Sequence, residues 1–370
     1  MVWEQLTDHL QVLYGAGVAL AIVLVLTPAV GSAARHLRVV DRPPEGERAQ
    51  STVPRLGGLA LFLGIFVPSL AFLPLGGELR GVLLGAAVAA TVGAIDDFRV
   101  LRWWQKLGGQ ALAGAIPTFF GVWVHSFTFL SGAQSVPVWI GAPLTVVGIV
   151  AVMNMVNFLD GLDGLAAGVC AIAGATFSVI ELSRGQPGAA ILAATVCGGC
   201  LGFLRHNFYP ARIFMGDSGA LLLGYTLAAI SVQGLLKTAA LATLVLPLLV
   251  LAVPMLDTSF VIAKRLKTGQ PIYMADARHL HHRFIRLGFS QRRAVLHVWV
   301  WCGTLALAAL ATRFAAPRHH GHWNPTNIAI DVAAGGLAVA CSLYIVYLLE
   351  IVKVANPRLR RRQEQASKAA

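Results

Sequence analysis

The stretch that decides the fold is "GIVAVMNMVNFLDGLDGLAAGVCAIAGA", residues 148–175, which is apolar except at a few positions. Asn154, Asn157, Asp160 and Asp163 carry its only strongly polar side chains. Asp160 followed by Gly161 is typical of a turn between two helices, because both residue types tolerate turn conformations. A turn does not require the other three polar residues, so the rest of the chain has to explain them.

Composition indicates a polytopic membrane protein. Of the 370 residues, 56% are hydrophobic and 12% are charged, whereas about a quarter of a soluble domain is charged. Long apolar runs recur along the chain, and in a membrane such runs form helices because each backbone polar group needs a partner in its own segment. The five cysteines show no metal-ligand spacing and are expected to be small buried residues. We therefore predict an all-α membrane protein.

The distribution of basic residues predicts the orientation of the chain. With about eleven spans, the inward loops and tail hold 24 of the 29 Lys and Arg residues, in line with the positive-inside rule. This places the N-terminus outside and the C-terminus in the cytoplasm of a cell membrane. The formal charge of +12 then indicates anionic lipids and substrates, not a nucleic acid. The predicted spans are 10–31, 56–75, 81–95, 107–125, 143–160, 164–181, 189–204, 219–236, 238–262, 295–312 and 328–352.

The predicted organisation is one transmembrane catalytic domain, residues 1–352, followed by a basic cytoplasmic tail, residues 353–370. The first span lacks a cationic n-region, so we expect a retained helix and not a cleaved signal. Cytoplasmic loops are expected near 32–55, 96–106, 161–163, 205–218 and 264–293.

Acidic side chains gather at the predicted cytoplasmic ends of different spans. Charges are costly in a membrane, so each of these acids is a candidate functional residue. Beside a strongly basic loop, they indicate a cytoplasmic site for a metal ion and a phosphate. A proton-coupled transporter or lipid flippase is the competing class, but carriers place their acids near the bilayer midplane. The acids are Asp96, Asp97, Asp160, Asp163, Asp217 and Asp257, whereas Asp41, Glu45 and Glu47 are expected to be solvated surface.

The motif "AIDDFRVLRWWQK", residues 94–106, has two adjacent carboxylates at the end of a span. They could simply pair with Arg99 and Arg102, since surface ion pairs are common and weak. Alternatively, the pairing of Asp96 with Asp97 can raise the pKa of one carboxyl and suit it to proton transfer. Lys106, nine residues after Asp97, could then meet phosphate oxygens as a point charge.

The motif "NMVNFLDGLDG" offers hard oxygen ligands. Asn154 and Asn157 lie about one helical turn apart on the same face. Amide and carboxylate oxygens suit Mg²⁺ better than zinc, and the zinc-protease motif HExxH is absent from the chain. Gly161 and Gly164 let the backbone turn tightly or approach a ligand.

The motif "RIFMGDSGALLLGY", residues 212–225, precedes and opens an apolar helix. Asp217 could be no more than a helix N-cap. The same helix N-terminus also attracts phosphate, and an aspartate there can bring a metal ion to it. Phe214 could stack on a base.

The motif "ARHLHHRFIRLGFSQRR", residues 277–293, packs three histidines among arginines. A basic amphipathic loop on the membrane surface would explain the arginines. Zinc would need further ligands that the motif lacks. A polyanion such as a nucleotide pyrophosphate would explain the histidines, which are His279, His281 and His282.

Taken together, these motifs resemble the polyprenyl-phosphate N-acetylhexosamine-1-phosphate transferases. The matching stretches include "VDRP" (40–43), "VPRLGG" (53–58), "FMGDSG" and "HLHH". The resemblance implies transfer of a sugar 1-phosphate from a UDP-sugar to membrane polyprenyl phosphate, with release of UMP, as the start of cell-envelope polysaccharide synthesis. It implies Mg²⁺ as the cofactor, with Mn²⁺ as a substitute. "HLHH" followed by "RLGFS" is more similar to the UDP-GlcNAc branch than to the UDP-MurNAc-pentapeptide branch, which is the alternative.

The resemblance also assigns roles to residues of the polar motifs. It implies that Asp217 and Asn157 hold Mg²⁺. It places the uracil against Phe214, Gly161 and Asp163. The four polar residues of the opening stretch are thereby explained, since the remaining two are expected to shape the same pocket.

Two adjacent residues are expected to be catalytic. Asp97 would accept a residual proton and Asp96 would orient the acceptor phosphate for direct attack on the β-phosphorus. A covalent aspartyl-phosphate route stays open as the alternative.

The other candidate residues are expected to bind substrate. Relatives usually have a histidine some six residues before "PRLGG", where Ala49, Gln50 and Ser51 stand here. The expected partners are a UDP-sugar, a polyprenyl phosphate, the membrane and, as an open alternative, a second copy in a homodimer. The substrate-binding candidates are Arg55, Lys106, Asn154, Asp160, Gly161, Asp163, Phe214, His279, His281 and His282.

Overall fold

Helices dominate the computed structural model, which describes residues 9–41, 52–73, 76–129, 132–236, 251–253, 255–256, 265, 284, 287–315, 318–319 and 322–348. This confirms the predicted all-α class. The helices are α1 (Gln11–His36), α2 (Gly57–Phe72), α3 (Gly77–Phe98), α4 (Trp103–Ala115), α5 (Val138–Leu159), α6 (Leu165–Ser183), α7 (Pro187–Asn207), α8 (Gly216–Leu236), α9 (Gln291–Phe314) and α10 (Pro325–Leu348), with a 3-10 helix at Ile116–Phe120.

Three short antiparallel strand pairs lie between helices of the described part. The first sets Asp41 opposite Val53 and so closes the connection from α1 to α2 near Arg55. The pairs are β1 (Val40–Asp41) with β2 (Val53–Pro54), β3 (Ser126–Phe129) with β4 (Gly132–Ser135), and β5 (Arg318–His319) with β6 (His322–Trp323).

Length and composition make several of these helices suitable membrane spans. Seven helices within the described residues are long and apolar enough to cross a bilayer, namely α1, α3, α5, α6, α7, α9 and α10. Helix α2 is apolar but only 16 residues long. A multi-pass membrane protein is therefore confirmed, while the number of eleven spans stays a prediction. The predicted span 238–262 lies almost wholly outside the described residues.

The segment predicted as one span at 107–125 is divided between two helices, and its crossing of the membrane stays a prediction. Helix α4 starts earlier, at Trp103, and ends at Ala115, where a 3-10 helix takes over. Pro117 has no N–H to continue the α-helical ladder, and Gly121 with φ 87° ends the 3-10 turn. Helices extend into parts of the predicted cytoplasmic loops, at 32–36, 96–98, 103–106, 205–207 and 216–218, and the limits of those loops stay a prediction.

Helix α8 forms the centre of the bundle. Every residue from 218 to 234 is buried, and the helix packs against α2, α3, α5, α6 and α7. Its N-terminus therefore opens in the middle of one end of the bundle. We call this end the acidic face, defined by Asp96, Asp97, Asp160, Asp163 and Asp217; Asp257 lies outside the described residues.

Candidate active site

The first residue of α8, Gly216, has to be a glycine. Gly216 has φ 69°, in the left-handed region where glycine is favoured. A Cβ at this position would also collide with the carbonyl oxygen of Arg55 and the carboxylate of Asp97. The chain therefore brings Asp217 into close contact with α2 and α3 at the start of the central helix.

Asp97 closes the N-terminus of α8 from the neighbouring helix α3. Its Oδ1 accepts the backbone N–H of Asp217 at 2.8 Å, and its Oδ2 accepts the N–H and the hydroxyl of Ser218 at 3.0 and 2.7 Å. The Asp97 side chain is 0% exposed, and the guanidinium of Arg55 lies 3.9 Å from its Oδ1. Since the first N–H groups of a helix lack partners within the helix, this carboxylate acts as their cap. These contacts give Asp97 a positioning role, and its role as a proton acceptor stays a prediction.

Lys106 lies between the carboxylates of Asp217 and Asp96. Its ammonium lies 2.6 Å from Oδ2 of Asp217 and 2.9 Å from Oδ2 of Asp96. Asp96 is held in turn by the backbone N–H of Leu101, which donates to its Oδ1 at 2.6 Å. The neighbours Asp96 and Asp97 thus have different surroundings, and only Asp96 contacts the lysine.

Helix α5 contributes the amides of the polar motif. The Nδ2 of Asn157 donates to Oδ1 of Asp217, so this amide and Lys106 hold the two oxygens of one carboxylate. Asn154 instead exchanges hydrogen bonds with Gln110 of α4, at 2.8 and 3.3 Å. Gln110 lies one helical turn after Lys106, so Asn154 fixes the helix that carries the lysine.

A cavity of about 380 Å³ opens beside Asp217 on the acidic face. Seven of the eleven predicted site residues that the structure describes line it. The lining does not include Asp96, Asp97 or Lys106, which instead contact Asp217. Asn154 also lies outside the lining. The lining residues are Asp41, Arg55, Asn157, Asp160, Gly161, Leu162, Asp163, Asn207, Phe214, Gly216 and Asp217.

Burial changes the acidity of the carboxyl groups in the turn between α5 and α6. It raises the pKa of Asp160 well above its ordinary value, and the charges of Asp217 and Asp97 raise it further. Burial also raises the pKa of Asp163, although the backbone N–H of Ala211 donates to its Oδ2 at 2.9 Å and opposes the shift. Ionisation of these carboxyl groups is therefore disfavoured by burial, and for Asp160 also by the neighbouring carboxylates, and a bound cation would offset that cost.

Two cavity residues were missed by sequence reasoning. Asn207 ends α7, accepts the N–H of Gly164 at 3.0 Å and donates to the carbonyl of Ile213 at 2.9 Å, so it joins three segments. The sequence signal that could have found Asn207 was its amide side chain at the end of the apolar segment, in "FLRHN". Asp41, expected to be plain surface, lines the cavity and lies 4.0 Å from Arg55.

The donor set fits a hard divalent cation. Asp217 and Asp160 provide carboxylate oxygens and Asn157 an amide oxygen at one cavity. Mg²⁺ is typically held by one or two carboxylates and completes its shell with water and substrate phosphates. In the described part of the chain, no group of three or more His, Cys, Asp or Glu side chains is placed to hold a metal ion by itself.

The predicted histidine contacts involve His279, His281 and His282, which lie outside the described residues. Their role on the sugar–pyrophosphate side stays a prediction.

Comparison with known proteins identifies the family of the chain. Residues 79–235, which carry both aspartates of α3, Lys106 and Asp217, match the model of glycosyl transferase family 4. The chain is 36% identical over 306 residues to a probable undecaprenyl-phosphate N-acetylglucosaminyl 1-phosphate transferase of Bacillus subtilis strain 168, covering 80% of this chain and 84% of the relative.

Two further relatives extend the comparison. A decaprenyl-phosphate N-acetylglucosaminephosphotransferase of Mycobacterium leprae is 36% identical over 335 residues, 82% of this chain and 84% of the relative. A phospho-N-acetylmuramoyl-pentapeptide-transferase of Moorella thermoacetica is 34% identical over 315 residues, 79% of this chain and 95% of the relative. The chain therefore belongs to glycosyl transferase family 4, among the polyprenyl-phosphate sugar-1-phosphate transferases.

Proposed function

We propose that this protein transfers GlcNAc 1-phosphate from UDP-GlcNAc to a polyprenyl phosphate and releases UMP. The observation that carries the proposal is the arrangement at the start of α8, where Asp217 contacts Lys106 and Asn157 beside an open cavity. Two relatives named above as GlcNAc-phosphate transferases support this sugar.

The reaction exchanges one phosphoanhydride bond for another. An oxygen of the acceptor phosphate forms a bond to the β-phosphorus of the UDP-sugar. The bond from that phosphorus to the bridging oxygen breaks, and UMP leaves with the electron pair. A phosphomonoester has a second pKa of about 6, so the acceptor is mostly dianionic at pH 7 and needs little activation. The main barrier is the approach of two polyanions.

The residues of the site lower that barrier by neutralising charge. Lys106 carries a positive charge between Asp96 and Asp217, and Arg55 adds a second at the cavity wall. Asp217 and Asn157 would hold Mg²⁺, which when bound offsets charge on the phosphate groups. Asp96, fixed by Leu101 and Lys106, would orient the acceptor, and buried Asp97 would keep the α8 N-terminus in place.

The base of the donor fits the other half of the cavity. Asp163 is oriented by the N–H of Ala211 and can accept a hydrogen bond from an imide N–H. Phe214 and Gly161 line the same space, where a flat ring can stack on the phenyl group. We therefore place the uracil between Phe214 and Asp163, and the diphosphate towards Asp217.

A donor panel tests the proposal. Purified protein, polyprenyl phosphate and Mg²⁺ are mixed with UDP-GlcNAc, UDP-GalNAc or UDP-MurNAc-pentapeptide, and UMP is measured. We expect UMP with UDP-GlcNAc only when lipid and Mg²⁺ are both present. Turnover with UDP-MurNAc-pentapeptide but not with UDP-GlcNAc would reassign the donor. Release of UMP in the absence of the lipid would contradict the transfer reaction.

A further inference from the structure

A second cavity lies away from Asp217, between the C-terminal parts of α1 and α7. Its volume is about 670 Å³, within the range of sites for small molecules. The described residues that line it include two arginines and one histidine, and none of them is acidic. The lining residues are Thr27, Pro28, Gly31, Arg35, Thr52, Val53, His206, Pro210, Ala211, Arg212 and Ile213.

A specific contact between α1 and α7 builds the cavity wall. Pro28 lies inside α1 and has no N–H, so the carbonyl of Leu24, four residues earlier, loses its helical donor. The Nε2 of His206 on α7 lies 3.0 Å from this carbonyl oxygen. Because a carbonyl only accepts, Nε2 carries the proton, and the imidazole joins the two helices at the level of the cavity.

The lining of the second cavity combines apolar side chains with two arginines. Pro28, Val53 and Ile213 form apolar walls, whereas Arg35 and Arg212 bring guanidinium groups from α1 and from the loop before α8. Both arginines are exposed. A guanidinium donates paired hydrogen bonds that match a phosphate. An apolar recess with such a rim, at the ends of two membrane-length helices, suits the headgroup of an anionic lipid.

The second cavity shares a wall with the candidate active site. Residues 210–213 line the second cavity. The same segment donates the Ala211 N–H to Asp163 and is held by Asn207 through the carbonyl of Ile213. A ligand in the second cavity would therefore contact the same segment, residues 210–213, that holds Asp163 and Asn207 of the candidate active site.

We propose that this cavity is a binding site for the phosphate headgroup of an anionic membrane lipid, held by Arg35 and Arg212. The site is separate from the one that takes the UDP-sugar. An anionic headgroup near a membrane surface gains about 1 kcal/mol per basic residue, which is about fivefold in affinity for each arginine.

Lipid binding tests the proposal. Delipidated protein in a neutral detergent is titrated with phosphatidylglycerol, phosphatidylcholine or inorganic phosphate, and bound lipid is counted by native mass spectrometry. We expect one tightly held phosphatidylglycerol. Arg35→Gln or Arg212→Gln should each weaken it about fivefold, and the double variant about thirtyfold. Arg205→Gln is the matched control, because Arg205 is exposed at the same end of α7 but does not line the cavity.

Several outcomes would overturn the proposal. Unchanged lipid affinity in the double variant, or an equal loss in Arg205→Gln, would show that the arginines act only through general surface charge. Displacement of phosphatidylglycerol by inorganic phosphate at equal concentration would point to a free phosphate as the ligand. Should the double variant fail to fold, equal binding of phosphatidylglycerol and phosphatidylcholine by the wild-type protein would contradict the site.

Discussion

The ammonium of Lys106 lies 2.6 Å from Oδ2 of Asp217, although 111 positions separate the two residues in the chain. This contact links the start of α4 to the start of the central helix α8. It places a cation beside the carboxylate that we propose as a metal ligand. The contact also explains why the two motifs, far apart in sequence, act as one site.

Replacement of Lys106 by methionine should reduce transfer strongly. The variant keeps the length of the side chain but loses a charged hydrogen-bond donor, worth about 1.5–3 kcal/mol. We expect kcat/KM for the UDP-sugar to fall roughly 10- to 150-fold. Arg99→Met, at an exposed position on the same face, is the control and should keep near wild-type kinetics. Equal losses in the two variants would remove Lys106 from the site.

Replacement of Asp97 by asparagine should lower stability as well as activity. An amide NH₂ would face the N–H groups of Asp217 and Ser218, and a buried unpaired donor costs about 1–3 kcal/mol. We expect a lower unfolding midpoint for the purified protein and a smaller decrease of the same kind in Ser218→Ala, which loses one of the donors to Asp97. An unchanged midpoint, together with loss of the acidic limb of the pH–rate profile, would instead identify Asp97 as a proton acceptor.

Stability should depend on pH through Asp160. Its pKa in the folded protein lies above the unfolded value, which is about 3.9. The protonated carboxyl therefore favours the folded state at low pH, and this contribution is lost as pH rises through the folded pKa. Asp160→Asn should raise the unfolding midpoint in EDTA more at pH 8 than at pH 5. Glu78→Gln, at an exposed position, should show no such difference; an equal gain at both pH values for Asp160→Asn would contradict the burial argument.

The orientation predicted from basic residues can be tested at the two ends of α3. Glu78 and Val100 are both exposed, Val100 to 96%. We expect a cysteine at position 78 to react with an impermeant maleimide in intact cells, and a cysteine at position 100 to react only after permeabilisation. The wild-type chain, whose described cysteines are buried or half-buried, serves as the background. The reverse pattern would place the acidic face outside, away from a cytoplasmic UDP-sugar.

Much of the fold follows from apolar segments that end at polar or turn-forming residues. Helices α5 and α6 meet at the predicted turn because Asp160 and Gly161 interrupt two long apolar runs. The segment predicted as one span at 107–125 is divided between an α-helix and a 3-10 helix, because Pro117 stops the α-helical ladder, which hydropathy does not register. Periodicity finds apolar segments, whereas backbone hydrogen bonding decides where a helix ends.

The proximity of several predicted site residues could be anticipated from the sequence, but the contacts of each residue could not. Motif chemistry brought Asp217, Asn157 and Lys106 together correctly as neighbours. It could not separate Asp96 from Asp97, since adjacent helical residues point in different directions and only the packing of α3 against α8 decides which of them meets the N-terminus of α8. The tie between Asn154 and Gln110 likewise depends on the contact of two helices.

The central claim is that the β-phosphate of the donor moves with the sugar to the lipid, at a site that depends on Asp217. The most direct measurement uses UDP-GlcNAc labelled at its β-phosphorus, with polyprenyl phosphate and Mg²⁺ in proteoliposomes. For the wild-type protein, we expect the label in the lipid product, UMP in equal amount and loss of both on addition of EDTA. Asp217→Asn should yield neither product while retaining the wild-type elution profile. Label in released UDP, or full activity of Asp217→Asn at saturating Mg²⁺, would contradict the account.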